Sequence, residues 1–291
     1  MTTPGRMIRV DGHDLHVVLT ECAIRSGAGE VPVVLCGGLA GNWFDWDALA
    51  AVLARDRTVV RFDRPGFGLS APSGMPPTAH GEADRIAAVL DAVDLSGPAI
   101  VVGHSLAGFY VEAFARLHPD RTAAVMLLDA SVSGGSMGLI PRRWRLAAAG
   151  TVAAAVTATG LQRRLAVPVW RLLDHSADAG DARVVWVRRI WRSPSYLEAA
   201  LVENAVFPDV AREVVALRTR TTLSAAVLVV AAHTGRPTPW GALWLRSQRR
   251  LASTLRARFE VLRPAHHVAM VDQPDRLADL IRTVAGSDPR R

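Results

Sequence analysis

The sequence predicts an α/β fold, a mostly parallel sheet flanked by helices, with one helical insertion. Short apolar runs alternate with helical patterns through the first 131 residues. Runs such as residues 31–35 and 99–102 are continuously apolar, which is typical of strands covered on both faces in a parallel sheet. The alternation stops at Ser131 and resumes near Ala225, so residues 132–222 interrupt the sheet after its sixth strand.

The first two predicted strands form a hairpin. Residues 8–10 and 15–20 flank Asp11-Gly12, a dipeptide that favours a tight turn between antiparallel strands. The later elements of the first half follow from apolar runs and from apolar spacings of three and four residues. They are a strand at 31–35, a helix at about 46–55, a strand at 58–62, a helix at 79–93, a strand at 99–102, a helix at 109–117 and a strand at 123–128.

The insertion at residues 132–222 contains no convincing strand and holds four tryptophans and many arginines, so we predict helices joined by loops. The sheet then resumes with a strand at 225–232, a helix at 242–256, a strand at 259–262 and a helix at 274–284, followed by a tail that we expect to fray. The predicted core therefore comprises residues 1–131 and 223–291.

Composition limits the classes of function. Half of the residues are hydrophobic, and all 34 basic residues are arginine, since the chain has no lysine. The net charge is −5 over residues 1–131, +6 over 132–222 and +6 over 223–291. Basic patches attract acidic substrates, anionic membranes or nucleic acid. We interpret this charge chiefly as a solvated arginine-rich surface, expect no nucleic-acid partner, and leave open a weak association with an anionic membrane surface.

Other classes are excluded by what the sequence lacks. Cys22 and Cys36 are the only cysteines, so we expect neither a disulfide scaffold nor a metal site. Residues 1–10 lack the apolar region of a signal peptide, and the weakly polar run at 147–161 is too short to span a bilayer. We therefore expect a cytoplasmic protein. The oligomeric state is not predicted.

The most informative motif is Gly-His-Ser-Leu-Ala-Gly at residues 103–108, between a predicted strand and a predicted helix. A serine in such a sharp turn, with small neighbours, is typical of a nucleophile elbow, although Ala107 replaces the last glycine of the strict motif. The following helix directs its N–H groups toward the same point. Ser105 is therefore the predicted nucleophile. The alternative is a plain strand–helix turn.

A serine nucleophile needs a base and an acid. His266 and His267 follow the last predicted strand, at the sheet edge where the elbow lies. No carboxylate follows the strand at 225–232, whereas Asp129 ends the preceding strand and preserves the chain order Ser, Asp, His. Asp129 is the predicted acid. A dyad without an acid, or an acid from the insertion such as Asp174 or Asp209, stays open.

The predicted reaction also needs two backbone N–H donors for a developing oxyanion. One is expected from Leu106, the residue after the nucleophile. The second is expected from Leu39, within the glycine-rich run Gly-Gly-Leu-Ala-Gly at residues 37–41. The alternative for this run is an ordinary strand–helix loop.

Together these features resemble the α/β-hydrolase superfamily, in particular its capped branch of serine esterases, lipases and epoxide hydrolases. The resemblance covers nearly the whole chain. Its matching pieces are Gly-Leu-Ala-Gly-Asn at 38–42, the aromatic cluster at 43–46, Asp-Arg-Pro-Gly-Phe-Gly-Leu-Ser at 63–70, Gly-His-Ser at 103–105, Leu-His-Pro-Asp-Arg at 117–121, and His267 seven residues before Pro274.

The resemblance implies a helical cap at residues 132–222 over the site. It favours His267 over His266 by the spacing to Pro274, and it assigns substrate contacts to Gly38, His104 and Trp43. The family usually has His-Gly in the oxyanion loop, and Gly37 replaces that histidine here. Its acid more often follows the strand after the cap, although some members use the end of the preceding strand, as Asp129 would.

The expected function is hydrolysis of a carboxylic ester, or a related acyl bond, of a small and largely apolar substrate through an acyl-enzyme on Ser105, with no cofactor. A serine at the elbow argues against epoxide-hydrolase and haloalkane-dehalogenase chemistry, which need a carboxylate there. The alternatives on the same fold are an acyltransferase, a C–C bond hydrolase, a cofactor-free peroxidase-type enzyme, a membrane-surface lipase and a non-catalytic ligand-binding protein.

Overall fold

The computed structural model describes residues 3–23, 31–132, 140–173 and 181–285. In these ranges one sheet of eight strands runs in the order β1-β2-β4-β3-β5-β6-β7-β8. Its strands are β1 (Arg6–Val10), β2 (His13–Thr20), β3 (Val33–Cys36), β4 (Val59–Phe62), β5 (Ala99–His104), β6 (Thr122–Leu128), β7 (Ala226–Ala232) and β8 (Arg258–Leu262). β2 is antiparallel to both β1 and β4, and every other pair is parallel. The predicted fold class is therefore confirmed.

The helices in the described ranges follow the strands as crossover connections or form the insertion. They are α1 (Asp47–Leu53), α2 (Ala79–Ala92), α3 (Ala107–Leu117), α4 (Arg142–Ala158), α5 (Leu161–Leu173), α6 (Asp181–Ile190), α7 (Pro194–Arg220), α8 (Pro239–Leu255), α9 (Ala269–Asp272) and α10 (Pro274–Ala285). Short 3₁₀ turns lie at Trp43–Trp46 and Pro119–Arg121.

Two apolar layers cover the two faces of the sheet. One contains side chains of α2, α3, α7 and α8, and the other contains side chains of α1, α9 and α10. Because successive side chains of a strand point to opposite faces, the continuously apolar β3, β5 and β6 supply both layers at once. Burial on both faces holds the central strands in position, and it therefore also holds the start of each loop at their carboxyl ends.

Local turn chemistry explains most boundaries. Asp11 and Gly12 have φ of 50° and 79°, the left-handed pair that a two-residue hairpin turn requires. α8 begins three residues earlier than predicted because the Thr238 side chain accepts a hydrogen bond from Gly241 N–H and Pro239 occupies the first helical turn.

The inserted helices have two environments. From the middle of α7 onward, Val206, Val210 and Val214 are fully buried in the layer shared with α2 and α3. By contrast, Trp170 of α5 and Trp186 of α6 pack in a third apolar cluster above the carboxyl end of the sheet. The division into a core and a cap at residues 132–222 stays a prediction. No described helix is both long and apolar enough to cross a membrane.

Candidate active site

Ser105 lies in the sharp turn between β5 and α3. Its φ of 52° is in the left-handed region, which costs a non-glycine residue about 1–3 kcal/mol and persists only where the surroundings fix it. Three backbone hydrogen bonds fix it here. Ser105 N–H donates to the Leu128 carbonyl at 3.0 Å, and the Ser105 carbonyl accepts from Gly108 at 3.0 Å and from Ser131 at 2.9 Å.

The turn tolerates only small neighbours. A Cβ on Gly103 would lie 2.5 Å from the Ala107 carbonyl oxygen, and a Cβ on Gly108 would lie 2.6 Å from the Ala130 Cβ. The glycine-rich loop also approaches the serine, since a Cβ on Gly38 would lie 2.9 Å from the Ser105 Cβ. Backbone proximity therefore accounts for the glycines that the motif carries.

Asp129 and His267 meet at the carboxyl edge of the sheet. His267 Nδ1 lies 2.6 Å from Asp129 Oδ2. An ionised carboxylate only accepts, so Nδ1 carries the proton and Nε2 is left as the basic nitrogen. Asp129 is 3% exposed, whereas about half of the His267 side chain is exposed. The imidazole is thus oriented from its buried side and open on its other side.

Two further donors hold Asp129, and sequence reasoning missed both. Its Oδ1 accepts from the Ala232 N–H at 2.9 Å and from Trp244 Nε1 at 2.7 Å. Ala232 ends β7, where the family more often places its acid, so here that strand end supplies a donor to the carboxylate instead. Trp244 on α8 has no signal in the sequence, because only the packing of α8 against β7 brings it to Asp129.

The alternative acid Asp209 and the alternative base His266 have other partners. Asp209 forms ion pairs with Arg145 and Arg212 on the inserted helices, and Asp174 lies outside the described residues. His266 N–H and its ring Nδ1 both contact Asp272 Oδ2, at 2.7 and 3.2 Å. Of the two histidines, His267 is therefore the one bonded to Asp129.

His104 supports the loop that carries His267. Its Nε2 donates to the His267 carbonyl oxygen at 2.8 Å, and the two rings are 4.5 Å apart. Burial, followed by the nearby His267 ring, holds the pKa of His104 well below its usual value of 6.5, so this histidine is neutral. A neutral ring adds no charge next to His267.

The two predicted oxyanion donors are backbone groups near Ser105. Among the described residues, none accepts a hydrogen bond from Leu39 N–H or Leu106 N–H. The loop of Leu39 is braced on both sides. The Gly38 carbonyl accepts from Arg64 Nη2 at 2.5 Å, and the Ala40 carbonyl accepts from the Tyr196 hydroxyl at 2.5 Å.

A cavity of about 130 Å³ opens over these groups. Ser105, His267, His104, Gly38 and Leu39 line it, and its outer wall includes Trp170, Arg183 and Trp191 of the inserted segment. Trp46, and not Trp43, belongs to this wall in the described part of the chain. Trp43 is 1% exposed and packs edge-on against His16 and Trp186, so the predicted contact of Trp43 with substrate would be indirect.

A buried ion pair ties the inserted helix α7 to the glycine-rich loop. Arg64, which also bonds the Gly38 carbonyl, donates to Glu203 of α7, and the Tyr110 hydroxyl donates to the same carboxylate at 2.8 Å. Burial raises the pKa of Glu203, and Arg64 opposes that rise. Arg64 also borders a separate cavity of about 500 Å³ between α7 and the loop after β4.

The segment at residues 63–70 has a supporting role in this arrangement. The buried Asp63 carboxylate accepts from Trp43 N–H at 2.9 Å and from Leu69 N–H at 3.1 Å, and it contacts His16 Nδ1 at 2.8 Å. Gly68 has φ of 53°, and a Cβ there would overlap the Asp63 carboxylate at 1.9 Å. The described residues contain no group of three His, Cys, Asp or Glu that could hold a metal ion.

A serine in a strained strand–helix turn and a His–Asp pair at the same edge of a mostly parallel sheet define an α/β hydrolase. The chain belongs to the alpha/beta hydrolase family, whose model matches residues 33–280.

The sequence relatives match over limited segments. The chain is 33% identical over 132 residues to a 2-hydroxy-6-oxo-2,4-heptadienoate hydrolase of Pseudomonas putida, covering 43% of this chain and 44% of that protein. It is 29% identical over 143 residues to epoxide hydrolase B of Mycobacterium tuberculosis, covering 48% of this chain and 39% of that protein. The chain therefore spans less than half of the length of these relatives.

Solved structures match over almost the whole chain. Cfl2 of Burkholderia cenocepacia has a TM-score of 0.74 at 21% identity, with 96% of this chain and 94% of that chain covered. A thermophilic esterase of Thermogutta terrifontis has a TM-score of 0.68 at 23% identity, with 96% and 97% covered. A structure titled a putative epoxide hydrolase of Pseudomonas aeruginosa has a TM-score of 0.73 at 18% identity, with 98% and 96% covered. At these identities the likeness shows the fold.

Proposed function

We propose that this hydrolase is a serine carboxylic ester hydrolase that acts on a small, largely apolar substrate. The observation that carries the proposal is the 2.6 Å contact between His267 Nδ1 and Asp129 Oδ2, on the cavity that Ser105 lines. This contact leaves Nε2 of a partly exposed imidazole as the base. A hydroxyl at the elbow fits acyl transfer, while opening of an epoxide by the known route needs a carboxylate at that position.

The proposed reaction has two steps. Ser105 Oγ attacks the carbonyl carbon of the ester while His267 Nε2 takes its proton, and the N–H groups of Leu39 and Leu106 donate to the oxyanion. The C–O bond to the alcohol breaks as His267 returns the proton to that oxygen. Water then attacks the acyl carbonyl while His267 takes its proton, and the bond to Ser105 Oγ breaks as His267 returns that proton to Oγ, which releases the carboxylic acid and restores Ser105. Asp129 stabilises the imidazolium in both steps and keeps its own charge.

The size of the cavity supports a short acyl group. A volume of about 130 Å³ is close to that of the apolar cavity of about 150 Å³ that accommodates one benzene molecule in another protein. Trp46, Trp170 and Met270 contribute apolar wall to this cavity. We therefore expect acyl chains of about two to six carbons to fit without displacement of the inserted helices.

The test is hydrolysis of p-nitrophenyl esters from acetate to laurate by the wild-type protein and by Ser105→Ala. We expect turnover of the short esters, a fall in kcat/KM beyond about six acyl carbons, and loss of at least about 10³-fold in kcat for Ser105→Ala. Mass spectrometry should detect an adduct on Ser105 after treatment with a fluorophosphonate. Equal turnover by the variant, or labelling at another residue, would contradict the proposal.

A further inference from the structure

Helices α4 and α5 present an unusual concentration of exposed apolar side chains. Fourteen large apolar side chains are exposed in the described part of the chain, and half of them lie between residues 140 and 173. These are Ile140, Trp144, Val152, Leu161, Leu165, Val169 and Leu172. Single exposed apolar residues are ordinary on a protein surface, whereas such a concentration marks a surface that another apolar phase covers.

The apolar residues of α5 are ordered along the helix. Leu161, Leu165, Val169 and Leu172 recur at intervals of four, four and three residues, so they form one stripe, with exposed fractions of 41, 42, 38 and 71%. Gln162, Ala166 and Trp170 form the adjacent buried strip, and Trp170 borders the cavity over Ser105. Contacts within the protein bury the strip of Gln162, Ala166 and Trp170. In the described part of the chain, they leave the apolar stripe that begins at Leu161 exposed.

The same segment is purely cationic. Residues 140–173 contain six arginines and neither Asp nor Glu. Arg143, Arg163, Arg164 and Arg171 are exposed, and Arg143 lies over the Trp144 ring at 5.7 Å. An amphipathic helix with an apolar stripe, arginines on its polar side and a nearby tryptophan has the composition of helices that lie in the interface of an anionic bilayer.

We propose that the surface formed by α4 and α5, the α4–α5 face, docks on an anionic lipid bilayer. The apolar stripe of α5 enters the headgroup region, and the exposed arginines pair with lipid phosphates and anionic headgroups. The charge selects this occupant over a second copy of the chain, because two copies meeting through this face would bring eight exposed arginines together, namely Arg143, Arg163, Arg164 and Arg171 of each copy, with no acid from the same helices. The proposal does not depend on the ester hydrolysis proposed above.

The first experiment is co-sedimentation of the full chain with vesicles of phosphatidylcholine alone and of phosphatidylcholine with 30% phosphatidylglycerol. We expect binding to the anionic vesicles that weakens as NaCl rises from 50 to 500 mM, and at least tenfold weaker binding to the neutral vesicles. Ser105→Ala should bind as the wild-type protein does, which separates this test from the test of catalysis.

Two sets of substitutions separate the contributions. Arg163→Gln/Arg164→Gln/Arg171→Gln should reduce partitioning to anionic vesicles by about fivefold for each arginine removed. Leu165→Ser/Leu172→Ser should reduce it at least tenfold. A matched control, Met7→Ser/Arg9→Gln, changes an exposed apolar residue and an exposed arginine of the edge strand β1, outside helices α4 and α5, and should have no effect. The thermal unfolding temperature of each variant verifies that it is folded.

The outcomes are exclusive. Salt-sensitive binding that both sets of substitutions weaken and the control does not would support the proposal. Equal binding to neutral and anionic vesicles, or binding that the substitutions leave unchanged, would overturn it. Absence of vesicle binding would also overturn it, and a dimer in sedimentation equilibrium that Leu165→Ser/Leu172→Ser dissociates would then assign the face to a second copy of the chain.

Discussion

Asp129 is bonded to His267 across 138 positions of sequence, with Asp129 Oδ2 and His267 Nδ1 separated by 2.6 Å. The two residues come together because β6 and β8 run parallel on either side of β7, which brings their carboxyl ends to one edge of the sheet. Asp129 also has φ of 43°, so its backbone turns sharply where β6 ends. The position that carries the predicted acid is thus strained like that of Ser105, and strain of this kind is concentrated at functional sites.

The first prediction concerns Asp129→Asn. The amide keeps the shape of the side chain but can donate to His267 Nδ1, which favours the tautomer with its proton on Nε2 and removes the base. We expect kcat for a short p-nitrophenyl ester to fall by about 10³- to 10⁴-fold with little change in KM. Circular dichroism should be unchanged. A fall of less than tenfold would move the acid to another residue.

The second prediction distinguishes the two adjacent histidines. His267→Ala removes the imidazole that is bonded to Asp129, so kcat should fall by at least about 10³-fold. His266→Ala removes a ring that contacts Asp272, and we expect less than a tenfold change. Each variant serves as the control of the other, since both delete the same side chain in the same loop. The reverse order of effects would overturn the assignment of His267.

The sequence predicts features that depend on residues close together along the chain, and it does not predict contacts between residues far apart along the chain. Continuously apolar runs predicted the bounds of β3, β5 and β6 to within a few residues, because a strand that is buried on both faces is apolar at successive positions. Because the carboxyl ends of parallel strands lie at one edge of a sheet, the sequence also predicted that Ser105, Asp129 and His267 lie in one region. Trp244 and the Ala232 N–H could not be predicted in this way, because they reach Asp129 only through the packing of α8 and the register of β7.

Helix α7 illustrates the same limit at the level of whole elements. Its sequence carries apolar positions throughout, and only the structure distinguishes the half that packs on α2 and α3 from the half that carries Tyr196 toward the glycine-rich loop. The Arg64–Glu203 pair joins residues 139 positions apart. Such a pair depends on the three-dimensional approach of two elements, and neither residue has a local signature.

The third prediction concerns Trp244→Phe. Phenylalanine keeps most of the packing of α8 and removes the Nε1 donor to Asp129 Oδ1. One orientation-fixing bond of the carboxylate is lost while Ala232 N–H and His267 remain. We therefore expect kcat to fall by about three- to tenfold, with KM unchanged and a shifted pH–rate profile, which a purely structural role would not produce.

A matched control for Trp244 lies on the same helix. Trp240 is 75% exposed, so Trp240→Phe should leave both kcat and the pH–rate profile unchanged. Equal effects of the two substitutions would indicate a general disturbance of α8 and contradict a role of Trp244 in positioning Asp129.

The fourth prediction concerns the buried pair of Arg64 and Glu203. Glu203→Ala would leave the guanidinium buried without its partner, and loss of one member of such a pair costs about 3–5 kcal/mol. For a chain of this length we expect Tm to fall by about 10 °C in differential scanning calorimetry. The double variant Arg64→Met/Glu203→Leu removes both charges and should be more stable than Glu203→Ala alone. A double variant no more stable than Glu203→Ala would contradict the coupling.

The last prediction is a pH dependence of stability at Asp56 and Arg282. Three hydrogen bonds from Arg282 hold the pKa of Asp56 below its usual 3.8, so the folded chain binds the Asp56 proton less readily than the unfolded chain does. The stabilisation is therefore fully present above about pH 4 and is lost as the pH falls through the lowered folded value. Both groups are partly exposed, so it amounts to at most about 1 kcal/mol. Urea unfolding of the wild-type protein, Asp56→Asn, Arg282→Gln and the double variant should give a coupling energy at pH 6 that declines below pH 4. A coupling energy that grows on acidification would contradict this sign.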